Sequence, residues 1–226
     1  MHLPDGFLDP GVAAAAAAVS AGAVTYGLRR TGSVLDERTA PLLGVTGAFV
    51  FAAQMLNFPV AGGTSGHLLG AALAAALVGP WGACVVLSVV LTLQAFLFAD
   101  GGVAALGANV LNMGVIGGLG AGAVLLIGRR VLPQTRRALL GTAAVAAWLA
   151  VVLSAVACAV ELGVSGTVPL ATALPAMLGV HVVIGIGEAV ITVAALGAVL
   201  ASRPDLVHGW HAARAPRPRP LPIAEV

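Results

Sequence analysis

Continuous apolar runs, separated by short polar or Gly/Pro-rich breaks, follow one another from residue 11 to residue 201. Strict period-2 alternation, the mark of a membrane β-barrel, is missing. A spanning helix needs about 20 apolar residues at a rise of 1.5 Å each. In lipid the backbone must satisfy its hydrogen bonds within the segment. The runs therefore predict an all-α polytopic membrane protein of about seven spans: 11–28, 41–58, 67–79, 81–98, 103–128, 138–160 and 179–201. The third is short. Residues 168–178 are apolar but brief and broken by proline, which predicts a loop or a half-inserted segment. Residues 1–202 then form one transmembrane domain, and the Pro- and Arg-rich stretch 203–226 a mobile cytoplasmic tail.

The charges orient these spans. Arginines fall at 29, 30 and 38, at 129, 130, 136 and 137, and at 203, 214, 217 and 219. Seven spans with the N-terminus outside put all eleven on the cytoplasmic side. Asp5, Asp9, Asp100 and Glu161 then fall outside. An even number of spans breaks this pattern between the first and last clusters.

Composition narrows the function. The chain has 226 residues, of which 59% are hydrophobic and 9% charged, with a mean hydropathy of +1.03. Roughly 25% charge is usual for a soluble domain, so an ordinary cytosolic enzyme, a disordered chain and a nucleic-acid binder are excluded. There is no Lys, so the phosphate loop of an ATPase is impossible here. Cys84 and Cys158 lie inside apolar runs, with no metal or disulfide spacing. The start, Met1 to Gly6, has no positive region or cleavage site, so it is expected to stay in the mature chain. Small residues between Ala13 and Ala18 and at Gly118 and Gly122 allow close helix approach, within the bundle or against a partner subunit.

Polar groups inside such a chain need a reason. At the N-terminus, the α-amine of Met1, the backbone nitrogen of His2 and the His2 Nδ1 can chelate one metal ion in unstrained five- and six-membered rings. Binding the amide nitrogen expels its proton, which Ni(II) and Cu(II) promote in a square plane. A His at position 2 is also compatible with coincidence. The turn Gly62-Gly63-Thr64-Ser65-Gly66-His67 brings a second His, either a headgroup-level loop residue or a fourth nitrogen for that ion. Gln94, Asp100, Asn109 and Asn112 gather at the outer ends of the fourth and fifth spans; Asn109 and Asn112 share a helix face. They either cross-link helices or orient ligands. His181 and Glu188, two turns apart, make either a structural link or a proton or ion relay. Glu188 is read as the only acid inside a span. His208 and His211 are read as a solvated pair in the tail.

Together these pieces resemble the nickel/cobalt substrate-binding subunits (CbiM/NikM type) of energy-coupling factor transporters. The resemblance is carried by Met1-His2-Leu3-Pro4-Asp5-Gly6-Phe7-Leu8 and by Phe58-Pro59-Val60 with Gly62 through Gly70. It continues through Asp100-Gly101-Gly102, Leu106 to Asn109, Asn112-Met113-Gly114, and His181 to Thr192. It implies a seven-helix subunit with metal ligands at Met1, His2 and His67. Ser65, Asn109, Asn112, His181 and Glu188 are then second-sphere or structural. The cargo implied is Ni(II) or Co(II), cobalt for instance serving corrin (cobalamin) synthesis, with no organic cofactor. The partners implied are a transmembrane coupling (T) subunit, cytoplasmic ATPases and a separate small accessory membrane subunit, all at the inner (plasma) membrane. The competing reading is a stand-alone proton-coupled permease using His181 and Glu188, although the halves show no matching broken helices. A membrane enzyme lacks a zinc-protease motif, paired carboxylates or a nucleophile with its base.

Overall fold

The computed structural model describes residues 1–37 and 39–210, and most of the chain is helical. The helices are α1 (Pro10–Gly32), α2 (Thr39–Gln54), α3 (Ala71–Phe98), α4 (Leu106–Val131), α5 (Arg136–Val164) and α6 (Leu170–Ser202). Five are long and apolar enough to cross a membrane; α2, with 16 residues, is apolar but shorter. Two three-residue strands, β1 (Asn57–Pro59) and β2 (Ser65–His67), pair antiparallel with Phe58 opposite Gly66.

Local chemistry sets the helix ends. The Asp9 carboxylate accepts the Gly11 N–H, and Pro10 occupies the first turn of α1, where its missing donor costs nothing. Arg29 and Arg30 close α1, as Arg129 and Arg130 close α4, where the helix dipole favours cations. Thr135 caps α5 by accepting from Ala138.

The bundle is closed by glycine rather than by bulk. A methyl group at Gly114, Gly118 or Gly122 of α4 would meet Ser88, Cys84 or Pro80 of α3 at 3.5 Å or less. Thus the Gly118/Gly122 pair serves packing inside this chain. Much of this seam (Val110–Leu119) is π-helical, so α4 is wound more loosely where it touches α3 most closely.

The third and fourth expected spans are corrected. Residues 67–70 are not helical, and Ala71–Phe98 is a single helical element broken at Gly79 (φ 77°, ψ 170°). Along α4 the chain passes Gly117 at Ala71, Gly122 at Pro80, Gly118 at Cys84 and Gly114 at Ser88. It therefore runs one way to Gly79 and returns. Pro80 cannot continue the first limb, and glycine alone adopts the required φ without strain. The first limb is buried throughout residues 71–76.

Two further expectations change. Residues 170–178 are the first turns of α6, not a loop; Pro175 lies inside the helix at its sixth residue, where it forfeits the bond to the Ala171 carbonyl. Glu161 lies within α5 rather than in an outer loop, so Glu188 is not the only acid in a long apolar helix. The free tail expected from Arg203 does not hold for residues 204–210. Pro204–Leu206 form a 3-10 turn, Val207 is buried, and the His208 N–H donates to the Ala76 carbonyl. His208 packs one side of its ring over Gly79 and stays exposed on the other; His211, Arg38 and the rest of the tail lie outside the described residues.

Candidate metal centre

The site is built where the N-terminus enters the bundle. Met1, His2 and Leu3 are buried, an unusual fate for a chain start. Asn109 of α4 holds them there. Its side chain accepts from the Leu3 N–H at 2.8 Å and donates to the Leu3 carbonyl at 3.1 Å. Gly102 N–H reaches the same carbonyl at 2.8 Å, and Asp5 accepts from Ala104 at 2.7 Å. The N-terminal segment is thereby an extra strand-like wall against the 101–105 loop and the first turn of α4.

Opposite it lies the Gly-rich turn with β2. The Met1 amine donates to the Ser65 carbonyl and to Ser65 Oγ, and the His2 N–H donates to that same hydroxyl at 3.0 Å. The His2 and His67 rings face each other with centroids 4.5 Å apart, tilted by 33°. His67 Nδ1 donates to the Leu68 carbonyl at 2.7 Å, which leaves Nε2 as the bare lone pair. Both ring nitrogens of His2 and the Nε2 of His67 are buried and have no hydrogen-bond partner in the protein.

Electrostatics keep these groups neutral. Burial lowers the Met1 amine to about 5, against a weaker pull upward from Cys158 and Asp100. Burial, then the neighbouring amine, lowers His2 to about 3. His67 is lowered as well, by burial first, then by the amine and His2. A neutral amine has two hydrogens, both spent on Ser65, and one lone pair left over. Asp100, raised by burial and bonded by Asn57 at 2.8 Å, stands 3.7 Å from His2 Nε2. A proton on Nε2 then faces a carboxyl group and leaves Nδ1 as the donor, the usual way a carboxylate orients a ligating imidazole.

Among the described residues, no cluster of three or more His, Cys, Asp or Glu side chains is placed to hold a metal. Side chains alone do not make this site. The nitrogens gathered here are two imidazoles plus an amine and an amide of the main chain, a set whose chemistry suits a square plane.

Of the residues expected from sequence, Met1, His2, Ser65 and His67 come together, and Asn109 anchors the strand that carries two of them. His181 donates from Nδ1 to the Met177 carbonyl at 2.7 Å, and its buried Nε2 has no partner. The Ser65 backbone and the Met1 amine are close enough to act on it. Asn112 turns away, donating to Glu161 at 2.6 Å, while Ser154 takes its carbonyl. Glu188 bonds neither ligand; it accepts the N–H groups of Leu69 and Gly70. Gln94 is buried, with both its side-chain polar atoms unpartnered. Asn57 and Gln54, which support the loop, carried no signal of their own: each is a single amide at the end of an apolar run.

A multi-pass helical bundle that buries unpartnered nitrogens at one end fits a class, that of membrane transport proteins for metal ions. The chain belongs to the CbiM family, described as the cobalt uptake substrate-specific transmembrane region, whose model matches residues 2–206. It is 37% identical over 210 residues to a putative fused nickel transport protein NikMN of Archaeoglobus fulgidus, covering 92% of this chain and 68% of that one. It is 40% identical over 209 residues to a putative metal transport protein of Haloquadratum walsbyi, covering 92% and 93%. The crystal structure of a truncated transition metal transporter superposes with a TM-score of 0.83 at 33% identity, covering 89% of this chain and 99% of that one.

Proposed function

We propose that the protein is the substrate-capture subunit of an ATP-driven importer of the energy-coupling factor type, with Ni(II) or Co(II) as cargo. The ion is held by the Met1 amine, the His2 amide nitrogen and Nδ1, and His67 Nε2. The observation that carries this reading is the set of buried nitrogens of Met1, His2 and His67 around Ser65, their imidazole lone pairs unmatched by any protein donor. Such groups are costly to bury unless something binds them.

Capture follows from the geometry. Ser65 holds the amine and the His2 amide as neighbours. The incoming ion displaces the amide proton, and the two imidazoles complete the plane. Once inside, the ion is stripped of water and exchanges slowly. Four nitrogens in a plane favour Ni(II) over Co(II), and the general affinity order runs the same way.

We count the two limbs of α3 separately, the first too short to span as a helix alone, and with the other five helices read seven passes. The described arginines sit at the helix ends opposite Met1, which the positive-inside rule assigns to the cytoplasm of the inner (plasma) membrane. Nothing in the chain can hydrolyse ATP, so the reading calls for a transmembrane coupling subunit, cytoplasmic ATPases and a small accessory membrane subunit, and for no organic cofactor. The stand-alone permease is disfavoured because both carboxylate oxygens of Glu188 are taken by backbone donors rather than facing His181.

Uptake of radioactive nickel and cobalt into cells making this chain with and without its coupling and ATPase subunits tests the assignment. Uptake that needs the partners and collapses with an inactive ATPase is expected. Uptake by this chain alone, driven by a proton gradient, would sink it.

A further inference from the structure

We propose that Glu188 sets the site's preference for nickel over cobalt, by pinning the backbone arm that carries His67. The inference rests on the four-nitrogen site proposed above and concerns a residue that touches neither the ion nor its ligands.

The arm is residues 62–70, and it lies lengthwise on one face of α6. Added methyl groups at Gly62, Gly63 and Gly66 would meet Thr172 and Ala176, then Met177, then Ile184. The arm ends at Glu188. There Oε2 accepts from Leu69 N–H at 2.9 Å and Oε1 from Gly70 N–H at 2.6 Å. From the other side, the buried Gln54 of α2 donates to the Leu69 carbonyl at 2.8 Å. Gly70 has φ 75°, and Val50 fills the space a side chain would need. His67 makes one side-chain bond, to the adjoining Leu68 carbonyl. The place of its Nε2 is therefore inherited from the backbone at 68–70, and that backbone is clamped between Glu188 and Gln54.

Placement matters unequally for the two ions. Square-planar Ni(II) gains its advantage only when the fourth nitrogen lies in the plane, whereas Co(II) accepts other geometries. An arm free to swing costs nickel more than cobalt. Glu188 suits the task because it offers one acceptor oxygen to each of two adjacent N–H groups. A glutamine there has one oxygen, and its amide would face a second donor.

The test is competition of Ni(II), and separately of Co(II), against a chromophoric chelator for the purified full chain. Three variants are compared: Glu188→Gln, Gln54→Met and a chain with one residue added before Met1. Nickel affinity in Glu188→Gln should fall by about 10- to 100-fold, as for other ligand-orienting residues, with cobalt affinity changing by less than about 5-fold. The square-planar absorption band should weaken in parallel. Equal losses for both ions, or none, would overturn the proposal. If Glu188→Gln does not fold, Gln54→Met carries the same test from the opposite side of the arm, with the same drop in the nickel-to-cobalt ratio expected. The extended chain separates the two ideas. If extension abolishes binding while the Glu188→Gln ratio matches wild type, only the role of Glu188 falls. If the extended chain binds as before, the four-nitrogen site falls and the role of Glu188 with it.

Discussion

Each end of this bundle sets histidine against backbone, buried at one end and exposed at the other, and the two ends do opposite things with it. At the N-terminal end, His2 and His67 face one another with bare nitrogens, beside an amine that burial has made neutral. At the far end, His208 lies flat over Gly79, and its backbone N–H is spent on Ala76. Burial lowers its pKa, and the Arg129 guanidinium lowers it further. An imidazole next to a fixed cation is a poor place for a second one. The difference teaches that histidine content does not define the proposed metal site. What defines it is convergent lone pairs, an absence of nearby fixed positive charge, and a carboxylate (Asp100) within reach of one ring.

Removing a ligand at the N-terminal end breaks the contrast most. His67→Ala should weaken nickel binding on the order of 100-fold or more and replace the square-planar band, read by chelator competition and absorption. Asn109→Ala comes next. It frees the Leu3 N–H, leaves the Leu3 carbonyl to Gly102 alone and lets the N-terminal strand drift, for a loss of about 10- to 100-fold with every proposed ligand still present. The pH dependence sharpens the comparison further. Because the amine sits at about 5 and His2 at about 3, both are neutral at neutral pH. Binding then releases only the amide proton, so affinity should fall about tenfold per unit between pH 8 and the amine's pKa. Below that pKa, the amine competes as well and the slope should approach two. An amine at its ordinary 8.0 would give the steeper slope across the whole range. The same depression has a folding consequence of defined sign. Between about 5 and 8.0 the unfolded amine binds a proton that the folded one does not, so the ion-free fold gains stability as pH rises through that window. The smallest effect belongs to the far end: His208→Ala should leave nickel affinity within about 2-fold while lowering the melting temperature by a few degrees.

Much of this was legible in the sequence because membrane physics is severe. Apolar length, the alternation of Arg clusters and the cost of buried polar groups left few readings. Met1, His2, Ser65 and His67 stood out as polar residues where lipid or a tight turn tolerates few. What stayed hidden was of two kinds. Short-range irregularity left no pattern: three-residue strands at 57–59 and 65–67 are too brief for alternation to register, and the π-helical stretch of α4 reads as ordinary apolar helix. Long-range pairing was invisible for another reason. Glu161 looked like a loop acid because its partner Asn112 is 49 residues away, and Glu188 stayed open between a structural link and a relay because its partners are backbone N–H groups 118 and 119 residues distant. A side chain bonded to backbone leaves no complementary residue to find.

The central claim is that the chain's own first amine and amide are metal ligands. Metal content and visible absorption of the purified protein, native against a form extended by one residue before Met1, test it most directly. The account predicts one tightly held Ni(II) with a square-planar band in the native form, and neither in the extended form with its fold intact. One tightly bound ion with the same spectrum in both forms would contradict it.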